Sequence, residues 1–161
     1  MKQLITKTFI AGIMMFVSLS GFAQVKALEK FSDTDGVTYV YISKVMLRMA
    51  GHVAAPSVPG IDMKGISNKL ECLQIITSEQ KSASAKLRTD FKSITMVGKY
   101  DLLMQVDDEG TKVRIYFKDG KGKAQSVIAM LTEEANETTL ICFCGTFVQT
   151  DIEQMVNNVK K

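Results

Sequence analysis

Residues 100–118 read YDLLMQVDDEGTKVRIYFK, and their period decides the fold. Tyr100, Leu102, Met104 and Val106 alternate with mainly polar neighbours, the period-two pattern of a strand with one buried face. Asp107-Asp108-Glu109-Gly110 then has the composition of a tight hairpin turn. Past the turn, Val113, Ile115 and Phe117 are expected to face inward, and Lys112, Arg114, Tyr116 and Lys118 outward. A second, half-buried strand follows from that alternation.

Working towards the C-terminus, Asp119-Gly120-Lys121-Gly122 turns the chain again, and 127–132 and 139–148 read as two further strands. The second of these is apolar on both faces, which predicts a central place in the sheet. Thr150 and Glu153 have capping-box spacing, and Ile152, Met155, Val156 and Val159 stripe a closing helix.

Towards the N-terminus the period changes. Ala83, Leu87, Phe91 and Ile94 recur at four and three, so 78–95 is an amphipathic helix, opened by a capping box of Thr77 and Gln80 and ended by Gly98. A strand over 69–76 (KLECLQII) precedes it. Before that, Gly51–Gly60 holds the only two prolines and reads as a loop. The stretch 44–50 is a short, mostly buried helix capped by Ser43. Val37–Ile42 (VTYVYI) is a strand on its β-branched and aromatic content. The order β-α-β-α-β-β-β-β-α, without repeat or linker, predicts one α+β domain over 37–161. Its sheet is expected to be mainly antiparallel, with a C-terminal four-strand meander and helices packed on it.

Residues 1–23 (MKQLITKTFIAGIMMFVSLSGFA) carry a different message. Lys2 and Lys7 form a positive start, Phe9–Leu19 is uncharged, and Gly21-Phe22-Ala23 sets small residues before a cut at Gln24. That is the layout of a cleaved signal peptide, and the apolar run falls well short of the roughly 20 residues a membrane span needs. No cysteine stands near the cut for lipid attachment, so the expected product is exported to the periplasm or envelope, is not a lipoprotein and has no transmembrane anchor. Residues 24–36 read as a flexible lead-in closing on Ser32-Asp33-Thr34-Asp35-Gly36.

The whole chain of 161 residues is 46% apolar and 23% charged, ordinary globular values. Its 20 basic and 17 acidic residues give a net charge of +3. Removing Lys2 and Lys7 leaves 18 against 17, or +1, which excludes a dedicated nucleic-acid binder.

Several segments resemble a family of small exported Bacteroidetes proteins, the domain-of-unknown-function 4252 family. They are the signal ending Phe-Ala-Gln, Asp35–Lys44 (DGVTYVYISK) with the methionine-rich helix after it, Tyr100–Met104 (YDLLM), Lys112–Tyr116 (KVRIY) and Ile141–Gly145 (ICFCG). The resemblance covers nearly all the mature chain and implies export and an α+β fold. It carries over no catalytic or binding residue. Proximity of members to envelope sigma-factor genes implies a role in envelope homeostasis.

No motif for chemistry stands out. His52 is the one histidine and lies in the Pro/Gly loop, with no G-x-S-x-G nucleophile elbow anywhere. The three cysteines lack CxxC spacing, so no metal site is expected. Cys142 and Cys144 share one face of a strand, roughly 6.5–7 Å apart, too far for a disulfide. Cys72 can reach one of them only if its strand neighbours theirs; otherwise all three are small core residues, and an odd count leaves at least one thiol free. Asp107-Asp108-Glu109-Gly110 lacks calcium-loop spacing, and Gly120-Lys121-Gly122 does not precede a helix as a phosphate loop does. No cofactor is expected.

The remaining surface feature is the row Lys112, Arg114, Tyr116, Lys118, extended by Lys121 and Lys123. It reads either as a docking face for an acidic envelope protein or an anionic glycan or lipid headgroup, or as a solvated strand that discourages aggregation. These features favour a non-catalytic binding module. The rival class is a hydrolase built from an unrecognised carboxylate pair.

Overall fold

The computed structural model describes residues 23–49, 67–120 and 126–158. The signal segment 1–22, the Pro/Gly loop with His52, Lys121 and Lys123, and Val159 lie outside them.

Six strands form one antiparallel sheet: β1 (Thr38–Ser43), β2 (Leu70–Ser78), β3 (Asp101–Asp108), β4 (Thr111–Lys118), β5 (Ser126–Glu133) and β6 (Thr138–Gly145). Their order is β1-β2-β6-β5-β4-β3. Strands β3 to β6 are the expected four-strand meander, and β6 is central, with β2 on one side and β5 on the other. Among the described residues four helices accompany the sheet: α1 (Ala23–Glu29), α2 (Lys44–Met49), α3 (Lys81–Gly98) and α4 (Gln149–Asn158). Among the described residues, no helix is long and apolar enough to cross a membrane.

Side chains paired across an antiparallel ladder share a face, so the register defines transverse rows. One row runs Val40, Ile75, Ile141, Met130, Ile115, Met104, apolar on all six strands. The next row on that face is Ile42, Leu73, Phe143, Ile128 and Phe117, and Phe147, Ile152 and Leu47 pack against it. On the opposite face Ile76, Leu140, Leu131, Ala129 and Cys142 meet Leu87 and Phe91 of α3, together with Leu28 and Phe31. The domain is therefore a sheet with helices on both faces, and each face has its own core.

Several local expectations are corrected. The lead-in 24–36 is not irregular: α1 and a 3-10 turn over Lys30–Asp33 hold Leu28 and Phe31 at 2% and 1% exposure. These two side chains are spaced to fall on one side, and the hydrophobic gain of burying them orders a segment whose other residues look polar. Helix α2 is not buried: Val45, Met46 and Met49 are exposed, and only Leu47 packs inward. The Ser43 cap does form, its hydroxyl accepting from the Met46 N–H at 3.4 Å.

The Thr77–Gln80 capping box is absent. Strand β2 continues through Ser78 because Thr77 pairs with Thr139, their hydroxyls 3.0 Å apart. Ser78 takes over at the helix start, its hydroxyl accepting from the Gln80 N–H at 3.3 Å. Helix α3 includes Gly98 and ends at Lys99, which adopts the left-handed conformation (φ 53°). The Lys99 and Tyr100 N–H groups donate back to Met96 and Thr95, a Schellman ending with a non-glycine residue in the glycine position. In place of Thr150 and Glu153, Asp151 accepts from the Val148 N–H at 2.9 Å. The helix starts earlier because β6 stops at Gly145, and Phe147 swings out of the strand into the core.

Strand β3 breaks its own period. Leu102 pairs with Tyr116 but Met104 with Ile115, so Leu103 is a bulge and Leu102 and Met104 lie on opposite faces. Two glycines are structurally required. Gly110 (φ 92°), with Glu109 (φ 43°), makes the two-residue turn between β3 and β4. At Gly145 an added Cβ would stand 2.2 Å from the Lys69 carbonyl oxygen, which accepts from the Thr146 N–H.

Candidate binding surface

The row Lys112, Arg114, Tyr116, Lys118 projects to one face of β4, as the alternation requires, but that face is not open along its length. Tyr116 lies under α3, its ring edge-on to Phe91 at 5.6 Å and 76°. Arg114 is half-buried and ion-paired through Nη1 to Glu133 on β5. Its Nε donates to Gln105 Oε1 on β3 at 3.3 Å, and Gln105 Nε2 donates to Asp107 Oδ2 at 2.7 Å. Arg88 of α3 approaches the other Glu133 oxygen at 3.6 Å. One polar chain thus links α3 to three strands. Lys118 holds its ammonium 5.6 Å from the centre of the Tyr100 ring. Desolvation, helped by nearby Lys99, pushes its pKa down, and burial pushes that of Tyr100 up. Lys112 is exposed and pairs across the ladder with Asp107. Three of the four side chains are thus engaged within the fold, because α3 covers a face that alternation alone marks as outer.

Cys72 and Cys144 are register partners on β2 and β6, 5.1 Å apart at Cα, and form a disulfide. Cys142 is the free cysteine. It is fully buried beside Gln74 and Ala129, and burial pushes its thiol pKa well up, the opposite of a reactive thiolate. Gln74 is buried too and donates to the Tyr39 hydroxyl at 2.9 Å. Among the described residues, no group of three or more His, Cys, Asp or Glu could hold a metal ion.

Apart from Val148, which precedes α4, the exposed apolar side chains gather at the two margins of the sheet. At one margin are Tyr41 on β1 and Val45, Met46 and Met49 on α2; at the other are Leu102, Leu103 and Val106 on β3, with Met96 and Val97 in the last turn of α3. Each margin carries a backbone edge as well, since among the described residues β1 pairs only with β2 and, at the second margin, β3 pairs only with β4. No motif marks this edge in the sequence, because the strand looks like its neighbours until the sheet order is known.

Fold and surface define a class: a small α+β domain with helices on both faces of its sheet and exposed apolar side chains at the sheet margins. The chain belongs to the family described as Domain of unknown function (DUF4252), whose profile matches residues 31–155. No curated protein and no solved structure matches it.

Proposed function

We propose that this protein is an exported, non-catalytic binding module of the bacterial periplasm or cell envelope, acting in envelope homeostasis. The observation that carries the reading is the distribution of side chains. Arg114 and Glu133 pair with each other and Cys142 is buried, while exposed apolar residues gather at the sheet margins. Patches of that kind mark interaction surfaces. The proposed cut after Ala23 leaves both buried anchors, Leu28 and Phe31, in the product.

The test is cell fractionation followed by crosslinked affinity capture of the mature protein. The expected product begins at Gln24, sits in the envelope fraction and brings down a defined protein partner. A product retaining residues 1–23 in the cytoplasm would overturn export. No specific partner, together with hydrolysis of envelope glycans, would overturn the binding reading in favour of a hydrolase.

A further inference from the structure

Strand β3 ends the sheet, so among the described residues one side of its backbone has no strand to pair with over Asp101–Asp108. Eight residues at about 3.4 Å each make an edge roughly 27 Å long. Edges of this length and apolarity are usually short, covered or interrupted in native proteins. Among the described residues nothing covers this one; the bulge at Leu103 interrupts it near its start, and Leu102, Leu103 and Val106 are 51%, 42% and 43% exposed along it. Its charges are all of one sign. Asp101 stands at one end and Asp107, Asp108 and Glu109 at the other; Asp107 faces Lys112 across the ladder and accepts from Gln105, and among the described residues none of the four has an ion pair within 4.0 Å.

That pattern selects among occupants. A second copy pairing antiparallel over the full strand would set Asp101 opposite Asp108 twice, and like charges facing each other across a ladder are destabilising. A segment with basic residues at both ends meets the same carboxylates favourably. We propose that the β3 edge is a docking site for an extended segment of another protein, apolar at its centre and basic at both ends, which adds to the sheet as a seventh strand. Main-chain hydrogen bonds supply affinity, alternate side chains supply register, and the acidic ends supply selectivity. The inference deepens the binding-module reading and rests on it.

The test uses the mature chain and synthetic peptides of roughly nine residues with one alternating Val/Thr centre, long enough to span the strand. Their ends carry Arg, Ser or Asp. Binding is read by fluorescence anisotropy and by amide hydrogen exchange in β3. The Arg-ended peptide is expected to bind at least about tenfold tighter than the Ser-ended one at low salt, with the gap closing near 0.5 M salt, and to protect the amides of 101–108. Asp101→Asn, Asp107→Asn and Asp108→Asn combined should erase the gap while leaving the melting curve in place.

Equal binding of all three peptides, or none at millimolar concentration, overturns the proposal. So does protection of β3 that rises with protein concentration alone, which would mark a self-pairing edge. If the Asn variant captures every envelope partner that the wild type captures, the edge proposal falls and the binding-module reading stands. If neither protein captures anything, it is the module reading that falls.

Discussion

The β2–β6 pair and the β3–β4 hairpin are antiparallel ladders of nearly equal length, yet they fare differently. Around β2 and β6, Leu73, Ile76, Leu140 and Phe143 are buried, a disulfide joins the strands, and even Gln74 is withdrawn from water. Along β3, Leu102, Leu103 and Val106 stay exposed, and only Met104 is partly buried. The residues differ little; their neighbours do. Position in the sheet, rather than strand propensity, decides which apolar side chains stabilise the domain and which remain available.

The contrast can be broken or sharpened by substitution. The largest effect is expected for Phe143→Ala in the centre of β6, a loss of about 3–5 kcal/mol in denaturant unfolding. A cost near 1 kcal/mol would show that the central core is loosely packed. Cys72→Ser opens the staple and should cost about 2–4 kcal/mol, since the bridge closes a long loop of the unfolded chain. The wild type should titrate no thiol when native and one, Cys142, when denatured without reduction; three would mean the disulfide is absent.

Asp151→Ala removes both the Val148 cap and the Lys69 ion pair, at about 1 kcal/mol near neutral pH. The Lys69 hydrogen bond, then that from the Val148 N–H, holds the Asp151 carboxyl below the usual range. Its contribution is therefore complete above the unfolded carboxylate pKa and fades as pH falls through the lower folded value. The stability difference between wild type and variant should shrink on acidification below about pH 4, and a gap constant down to pH 2 would contradict this. The smallest effect is expected for Leu103→Ser on the exposed edge, within about 0.5 kcal/mol. More than 1 kcal/mol would show that β3 is structural rather than available.

The meander and the helix before it were legible because period two and period 3.6 are local signals, sustained over 100–118 and 83–94. The central place of β6 was legible too, from apolar residues on both of its faces. What a local pattern cannot carry is the identity of a neighbour. Whether Cys72 meets Cys144 depends on β2 lying beside β6, across 72 residues of sequence. Whether Arg114 and Tyr116 face water depends on α3, and the Leu103 bulge shows only in the pairing with β4. The β3 edge was invisible for the same reason. Helix α1 was missed because two buried residues, Leu28 and Phe31, are too few to show a period.

The strand order also sets a timetable. Strand β6 joins the β1–β2 pair to the β3–β4–β5 meander, and it is the last of the six to be synthesised. A nascent chain ending before residue 138 holds two fragments, each bare on the flank where β6 belongs. A two-stranded piece is marginal in water, and pairings this distant in sequence form late. The topology thus delays completion of the sheet until nearly the whole chain has been made, whatever the stability of the finished domain.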